Sequence, residues 1–355
     1  HVERRPERRA AALIHQRGGG TGFDFSDIRP KGTKVKSTQG HASGPLSFME
    51  VFNQAADVIT QGGKRHGANM GILRVDHPDI MDFIKVKQND PKAFTNFNLS
   101  VAVTDEFMKV LAEDGNFDLR HEKTGVVKSI KAKEIWDAII EGAWKCGDPG
   151  VIFIDAMNRA NPTVHLGAYA ATNPCGETPL LPYEACNLGS LNLMMFVKGD
   201  RIDWAGLEET IRYAVRFLDD VIDVNSYVLP AIEQATNLTR KIGLGIMGLA
   251  HLLYTLGIAY DSEEAVTKTK KLMKFVQDTG HDEAEKLGKE KGVYPGYKNG
   301  PRTRCATVTT VAPTGSLSTL VSVSSGIEPV FALEHDRTTG IKNDSGEKLV
   351  LKVLD

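Results

Sequence analysis

The stretch SFMEVFNQAADVITQGGKRHGANMGILRV, Ser47–Val75, changes its pattern of apolar residues along its length. From Phe48 to Ile59 the apolar residues recur three and four positions apart, which is the period of an α-helix with one buried face. A glycine-rich loop follows, and then the run NMGILRV, which is typical of a strand buried on both faces. A helix that leads through a short loop into a buried strand indicates an α/β fold.

The same alternation continues along the chain. Helical periodicity is clear from Leu207 to Ile222 and from Val266 to Val276, and Asp261 or Ser262 is the expected N-cap of a helix that reaches Lys291. Further buried strands are predicted in FNLSVAVT, GVIFID, SLNLMMFV and CATVTTVAP. This order favours an α/β barrel or a multilayer sheet.

Composition excludes several classes of protein. The chain has 355 residues, 41% of them hydrophobic and 25% charged, as in ordinary globular proteins. Its formal net charge of -2 gives no general attraction for nucleic acid or anionic membranes. Because no apolar run approaches the roughly 18 residues of a membrane span, and HVERRPERRA lacks a signal-peptide core, we expect a cytoplasmic protein.

The cysteines are too few for a disulfide scaffold. They are Cys146, Cys175, Cys186 and Cys305, without the clustered spacing of a zinc site. Cys146 ends a predicted helix and Cys305 lies in a strand-like run, so we expect both to be buried core residues.

Three glycine-containing loops are candidate anion sites. They are RGGGTGFDFSDIRPKG (Arg17–Gly32), QGGKRHGANMG (Gln61–Gly71) and the predicted strand-to-helix turn at APTGSLS. Glycine lets the backbone approach a ligand, and N–H groups at a helix start favour anions. Each loop alone is also compatible with an ordinary turn, but three together favour a nucleotide or phosphorylated sugar.

The loop ATNPCGETPLLPYEACNLGSLNL, Ala171–Leu193, holds the most unusual chemistry. Pro174 pushes Asn173 toward an extended conformation, and an extended run would place Asn173, Cys175 and Glu177 on one side. A neighbouring carboxylate raises the pKa of a thiol, which argues against a thiolate nucleophile. Two readings remain open here: hydrogen-atom transfer by a sulfur radical with Glu177 moving a proton, or a structural turn.

The motifs NPCGE, YEACNLGSLNL, GGGTGFDFS, QGGKRHGANMG with HPDI, and APTGSLS with SSGIEP closely resemble the catalytic subunit of ribonucleotide reductase. The form they resemble is class II, which depends on adenosylcobalamin, and the resemblance runs from about Ala11 to Leu333. It implies a single catalytic domain over residues 1–355. Its fold would be a ten-stranded α/β barrel of two antiparallel-packed five-stranded halves, with the cysteine loop as a finger through the centre.

The resemblance also implies roles for individual residues. Cys175 would carry the thiyl radical, Glu177 would accept a proton from the ribose, Asn173 would bind the sugar hydroxyls, and Cys186 would supply reducing electrons. The implied substrate contacts are Gly19, Gly20, Pro174, Gly176, Pro313, Thr314, Gly315, Ser316 and Leu317. The implied effector and specificity loops contain Asp27, Arg29, Lys31, Lys64, Arg65 and Asn69.

The implied ligands and partners follow from the same family. They are adenosylcobalamin, a deoxynucleoside triphosphate effector, a ribonucleoside di- or triphosphate substrate, a thioredoxin- or glutaredoxin-type reductant and a second copy in a homodimer. No resident metal ion, nucleic acid or membrane is expected. The family's redox partner of Cys186 and its C-terminal cysteines have no counterpart here, so we expect a barrel truncated at both ends that does not sustain multiple turnovers alone.

Three other readings remain open. A class I large subunit would receive its radical from a metal-bearing partner instead of a cobalamin. A non-catalytic relic would bind deoxynucleotides and be indifferent to loss of Cys175. A structural zinc role for the cysteines would require four converging ligands.

Overall fold

The computed structural model describes residues 5–35, 39–61, 65–122, 125–342 and 348–354. They fall into two units, the first made of His1–Asn161 with Ala168–Leu181, the second of Pro162–Gly167 with Pro182–Asp355. Helices and strands alternate in the first unit and occur together in the second, so the α/β class is confirmed. In the part of the chain described, no helix is both long enough and apolar enough to cross a membrane.

The first unit is built on a parallel sheet. Its helices are α1 (Arg5–Gln16), α2 (Pro45–Val58), α3 (Ile80–Asn89), α4 (Asp105–Ala112), α5 (Ala132–Cys146) and α6 (Ile154–Arg159). Its strands are β1 (Thr21–Asp24), β2 (Thr60–Gln61), β3 (Arg65–His66), β4 (Asn69–Arg74), β5 (Phe97–Val103), β6 (Asn116–His121), β7 (Gly125–Lys131), β8 (Gly150–Phe153), β9 (Ala171–Thr172) and β10 (Pro179–Leu180). The sheet has the order β1-β4-β5-β8, and β2/β3, β6/β7 and β9/β10 are antiparallel pairs.

Burial explains why the apolar runs of this unit form central strands. Both faces of a parallel sheet are normally covered, and β4 is buried at every position except its last. Aromatic rings fill one side, with the ring centroids of Phe23 and Phe52 4.6 Å apart. In β5 the one exposed residue is Asn98, a polar side chain in an otherwise buried strand.

The second unit pairs fewer strands and has longer helices. Its helices are α7 (Trp204–Val224), α8 (Pro230–Thr239), α9 (Leu249–Thr255), α10 (Glu263–Glu290) and α11 (Gly315–Leu320), with a 3-10 turn at Leu193–Phe196. Its strands are β11 (Asn187–Asn192), β12 (Val197–Lys198), β13 (Arg201–Ile202), β14 (Ile242–Met247), β15 (Glu334–Lys342) and β16 (Lys348–Leu354). β11 and β14 are parallel, and β14 is wholly buried. Ser262 is the N-cap of α10, since its side chain accepts a hydrogen bond from the N–H of Ala265.

Two predicted strands of this unit are wrong in part. SLNLMMFV leaves the strand after Asn192, because the Asn192 side chain accepts from the Met194 N–H and starts a 3-10 turn. CATVTTVAP forms only an isolated bridge between Thr309 and Leu244. The N–H groups of β14 residues 242 and 244 donate to the carbonyls of 307 and 308, which are consecutive, so the alternate-residue register of a ladder is lost.

The expectation of two buried cysteines holds for one of them. Cys305 is buried with its Sγ 3.7 Å from Asp219 Oδ1, and burial, aided by that carboxylate, raises the pKa of the Cys305 thiol. Cys146 is exposed, contrary to the prediction, because it lies at the C-terminal end of α5, where its Sγ reaches the Gly142 carbonyl at 3.3 Å.

Candidate active site

Cys175 lies at the tip of a tight turn between β9 and β10. The N–H of Gly176 donates to the Asn173 carbonyl at 3.1 Å, and the N–H of Asn173 donates to the Thr178 carbonyl at 3.2 Å. Gly176 has a φ of +87°, which glycine adopts without strain. The extended run that would place Asn173, Cys175 and Glu177 on one side is therefore not formed: Pro174 occupies the second position of a turn, where its fixed φ fits equally well.

Asn173 closes the turn with its side chain as well as its backbone. Its Oδ1 accepts from the N–H of Thr178 at 2.9 Å, and its backbone carbonyl also accepts from the Thr172 hydroxyl at 3.0 Å. An asparagine that bonds a backbone N–H farther along the chain stabilises a compact loop. The position of the Cys175 backbone is thus fixed from both sides of the turn.

The turn is also held from the sheet. Asn98, the exposed residue of β5, donates from its Nδ2 to the Pro174 carbonyl at 2.7 Å. Gly20 contacts the Pro174 ring so closely that a Cβ there would lie 2.3 Å from Pro174 Cγ. A Cβ on Gly22 would lie 1.8 Å from the Thr172 carbonyl oxygen. These glycines are required because the hairpin lies directly against the backbone of residues 20–22.

Exposure separates the side chains on this hairpin. Cys175 is exposed, whereas Glu177 is half-buried and Thr178 is buried. An exposed thiol on a braced backbone can be reached by a reactant without moving the chain. A partly buried carboxylate two residues away is suited to proton transfer.

The glycine run before β1 has a second close contact. A Cβ on Gly19 would lie 2.6 Å from Cγ2 of Ile14 at the end of α1, so this residue packs against its own helix. His15, also in α1, is buried and its Nε2 lies 3.2 Å from the Thr21 hydroxyl. Burial lowers the pKa of His15.

The first predicted specificity loop is anchored by the HPDI motif. Asp27, Arg29 and Lys31 are exposed, and the backbone N–H of Lys31 donates to Asp79 Oδ2 at 2.8 Å. His77 Nε2 lies 2.9 Å from the Ile28 carbonyl, and His77 Nδ1 accepts from the Asp79 N–H. Burial lowers the pKa of His77, which favours this neutral form.

The second predicted specificity loop is described only in part. Lys64 lies outside the described residues, and Arg65 begins β3 with a side chain that is also outside them. Asn69 starts β4 and is buried; its Oδ1 accepts from the Thr21 hydroxyl at 2.6 Å and its Nδ2 donates to the Asn96 carbonyl. The side chain of Asn69 therefore links β4 to neighbouring parts of the chain by hydrogen bonds.

Cys186 lies in the second unit, directly before β11, and is half-buried. Close to it in sequence is a buried ion pair that the sequence did not reveal: Lys241 Nζ lies 2.6 Å from Glu184 Oε2. The side chain of Lys241 has no exposed surface, and the side chain of Glu184 is 2% exposed. The sequence offered one sign of this ion pair, a lysine at the start of the apolar run KIGLGIM. The pair could not be predicted from it, because the glutamate partner lies far away in sequence.

The predicted phosphate-binding run forms the start of α11. Thr314 is buried with a φ of +54°, and its hydroxyl accepts from the Gly326 N–H at 2.7 Å. Gly315 begins the helix, and Pro313, Ser316 and Leu317 are exposed. The first N–H groups of a helix have no partner within it and therefore favour an anion.

Similarity to known proteins agrees with these motifs. The family description "Ribonucleotide reductase, barrel domain" matches residues 7–307. A "Vitamin B12-dependent ribonucleoside-diphosphate reductase" of Thermoplasma acidophilum is 53% identical over 330 residues, which are 91% of this chain and 43% of that protein. A protein of the same name from Mycobacterium tuberculosis (strain CDC 1551 / Oshkosh) is 49% identical, over 92% of this chain and 48% of that protein.

A more distant relative has a different name. The "Ribonucleoside-diphosphate reductase subunit alpha" of Chlamydia pneumoniae is 32% identical over 81% of this chain and 31% of its own length. The chain thus spans about half the length, or less, of these curated relatives. With a family match over most of its residues, the chain belongs to the ribonucleotide reductase barrel-domain family.

Proposed function

We propose that this chain provides the radical-bearing part of an adenosylcobalamin-dependent ribonucleotide reductase, which converts ribonucleotides to 2′-deoxyribonucleotides. The observation that carries the proposal is the exposed thiol of Cys175 at the tip of a turn whose backbone is bonded by Asn98 and by the turn itself. The identity of 49–53% to two vitamin B12-dependent relatives supports it.

Each functional group would have its own role in the reaction. Cys175, as a thiyl radical, takes the 3′-hydrogen atom of the ribose, and Glu177 accepts the 3′-hydroxyl proton. The 2′-hydroxyl takes a proton from one of two thiols, Cys186 being a member of the pair, and leaves as water. The pair also gives its second hydrogen to C2′, supplies two electrons in total and becomes a disulfide. Cys175 then returns the hydrogen atom to C3′, so the thiyl radical is regenerated.

A rigid turn suits this chemistry because hydrogen-atom transfer requires the sulfur to lie in contact with one ribose carbon. A displacement of about 1 Å at a reacting group can cost roughly 10²-fold in rate. Asn173 Oδ1 is already bonded to the N–H of Thr178, so we assign binding of the sugar hydroxyls to its amide nitrogen. Pro174 and Gly176 would form the surface of the turn around the thiol.

Substrate phosphates would bind at the start of α11, over Pro313, Thr314, Gly315, Ser316 and Leu317. Backbone N–H groups at a helix start bind phosphate without a lysine. The backbone of Gly19 and Gly20 is exposed and would contact the substrate as well, since glycine has no side chain of its own.

Adenosylcobalamin, when bound, supplies the radical that oxidises the Cys175 thiol. The exposure of Cys175 fits that requirement, because a buried thiol would be out of reach of a bulky cofactor.

Regulation and assembly follow the same family pattern. A deoxynucleoside triphosphate effector would bind at the loops around Asp27, Arg29 and Lys31 and around Lys64, Arg65 and Asn69, with allosteric control of the substrate base. We further propose a cytoplasmic homodimer reduced by a thioredoxin- or glutaredoxin-type protein. The single catalytic domain would be the ten-stranded barrel, of which the parallel strands are a part.

The test is deoxyribonucleotide formation by the full-length protein with ribonucleoside di- or triphosphate and a dithiol. Product should form with adenosylcobalamin and be absent without it. Product that instead requires a metal-bearing partner subunit would move the chain to class I. Nucleotide binding by calorimetry without product under either condition would favour the non-catalytic relic.

A further inference from the structure

The buried ion pair between Lys241 and Glu184, in the second unit, carries a large desolvation cost. Burying two charges costs several kcal/mol per ion, and mutual attraction offsets this only with good geometry and further hydrogen bonds. Both conditions are met, since the Nζ–Oε2 distance is 2.6 Å and Glu184 Oε1 also accepts from the Thr239 hydroxyl at 2.7 Å. Replacing a buried ion pair by well-packed apolar residues of similar volume is often neutral or stabilising, so stability alone does not account for these charges.

The pair fixes the chain immediately before Cys186. Glu184 is held by its side chain, and the N–H of Ala185 donates to the Thr236 hydroxyl at 3.2 Å. Asn187 begins β11 and pairs with Ile242, the residue that follows Lys241. Cys186 therefore lies between two anchored residues, Glu184 and Asn187. The residues that hold them, Lys241 and Ile242, are consecutive in the chain.

The two residues that precede Glu184 are exposed, unlike the anchored residues that follow it. Pro182 and Tyr183 are exposed, and Tyr183 has a φ of +63°, a left-handed conformation that costs a non-glycine residue energy. Fixing each backbone residue costs about 1–2 kcal/mol in conformational entropy.

We infer that Lys241 and Glu184 are positioning residues for Cys186, holding its thiol in the place where the reductase reaction uses it. The inference rests on the proposed role of Cys186 as an electron donor. Lys241 holds the carboxylate of Glu184, and the backbone from Glu184 through Ala185 in turn holds Cys186.

The test measures how fast each cysteine of the full-length protein reacts with iodoacetamide, by quantitative peptide mass spectrometry. In Lys241→Met the rate at Cys186 should rise by roughly tenfold, because the segment opens locally. Two other cysteines are internal controls. Buried Cys305 reports unfolding of the second unit, and exposed Cys146 reports reagent activity.

A second variant separates positioning from charge balance. In Glu184→Gln with Lys241→Met no charge is left buried alone, so Cys305 should be as well protected as in the wild type. The rate at Cys186 should stay high, and kcat should fall with KM nearly unchanged. Wild-type reactivity of Cys186 and wild-type kcat in this folded double variant would overturn the inference.

The proposed role of Cys186 is tested independently by Cys186→Ser. Loss of deoxyribonucleotide formation there, with nucleotide binding retained, supports the electron-donor role. Full turnover in Cys186→Ser would refute that role, and with it the functional meaning of the ion pair, whatever the alkylation rates show.

Discussion

Gly22→Ala should displace the cysteine turn while leaving the turn's own sequence intact. The new Cβ would lie 1.8 Å from the Thr172 carbonyl oxygen, and real Cβ atoms essentially never come within 3.0 Å of such an atom. The Gly22 backbone and this carbonyl, three residues before Cys175, must therefore separate by at least the difference between these two values, 1.2 Å. Overpacking of this kind costs about 1–3 kcal/mol of unfolding free energy.

The larger effect of Gly22→Ala should be on catalysis. A displacement of about 1 Å predicts a roughly 10²-fold lower kcat, with substrate binding less affected. The assays are deoxyribonucleotide formation by the full-length protein and urea unfolding. Gly189→Ala is the matched control, because this strand glycine has its nearest atom, Leu218 Cδ1, at an ordinary 3.5 Å. Equal stability and kcat in the two variants would refute the close-contact argument.

Three further predictions concern named contacts. Asn98→Leu removes the amide donor to the cysteine turn and should lower stability by about 0.5–1.5 kcal/mol and kcat by roughly tenfold; an unchanged kcat would contradict the bracing role. Arg240→Met removes the 2.8 Å partner of buried Asp219, which keeps Arg304 at 3.3 Å and Lys291 at 3.7 Å, so it should cost less in urea unfolding than the roughly 3–5 kcal/mol of a buried charge left alone. It should still cost more than Lys274→Met on an exposed pair, at about 1 kcal/mol or less. Burial lowers the pKa of His77, so its stabilisation is complete above pH 6.5 and is lost as the pH falls through the folded-state value; His77→Gln should show a shallower fall in stability between pH 7 and 5 than wild type.

Periodicity in the sequence predicted the regular elements because it reports burial directly. The faces of α2, α7 and α10 and the apolar runs of β4, β5 and β8 appear where expected. The cysteine turn was less predictable, because Pro174 is compatible with both an extended chain and the second position of a turn. The hydrogen bonds that decide between them join residues 173, 176 and 178 and leave no pattern in the sequence.

Contacts between residues distant in sequence could not be predicted at all. Asn98 and Pro174 lie 76 residues apart, and Glu184 and Lys241 lie 57 apart. A polar residue inside an apolar run was the only local sign of either contact, and such residues often face solvent. The slip in register at residues 307 and 308 likewise depends on the partner strand and not on the β-forming residues of CATVTTVAP.

We propose that Cys175 carries the radical that starts the reaction. The most direct measurement compares Cys175→Ser with Cys146→Ser in the full-length protein, since both cysteines are exposed and belong to the same unit. We predict that Cys175→Ser binds nucleotide normally but loses deoxyribonucleotide formation by at least about 10³-fold, while Cys146→Ser behaves as wild type. Sustained product formation by Cys175→Ser would contradict the account.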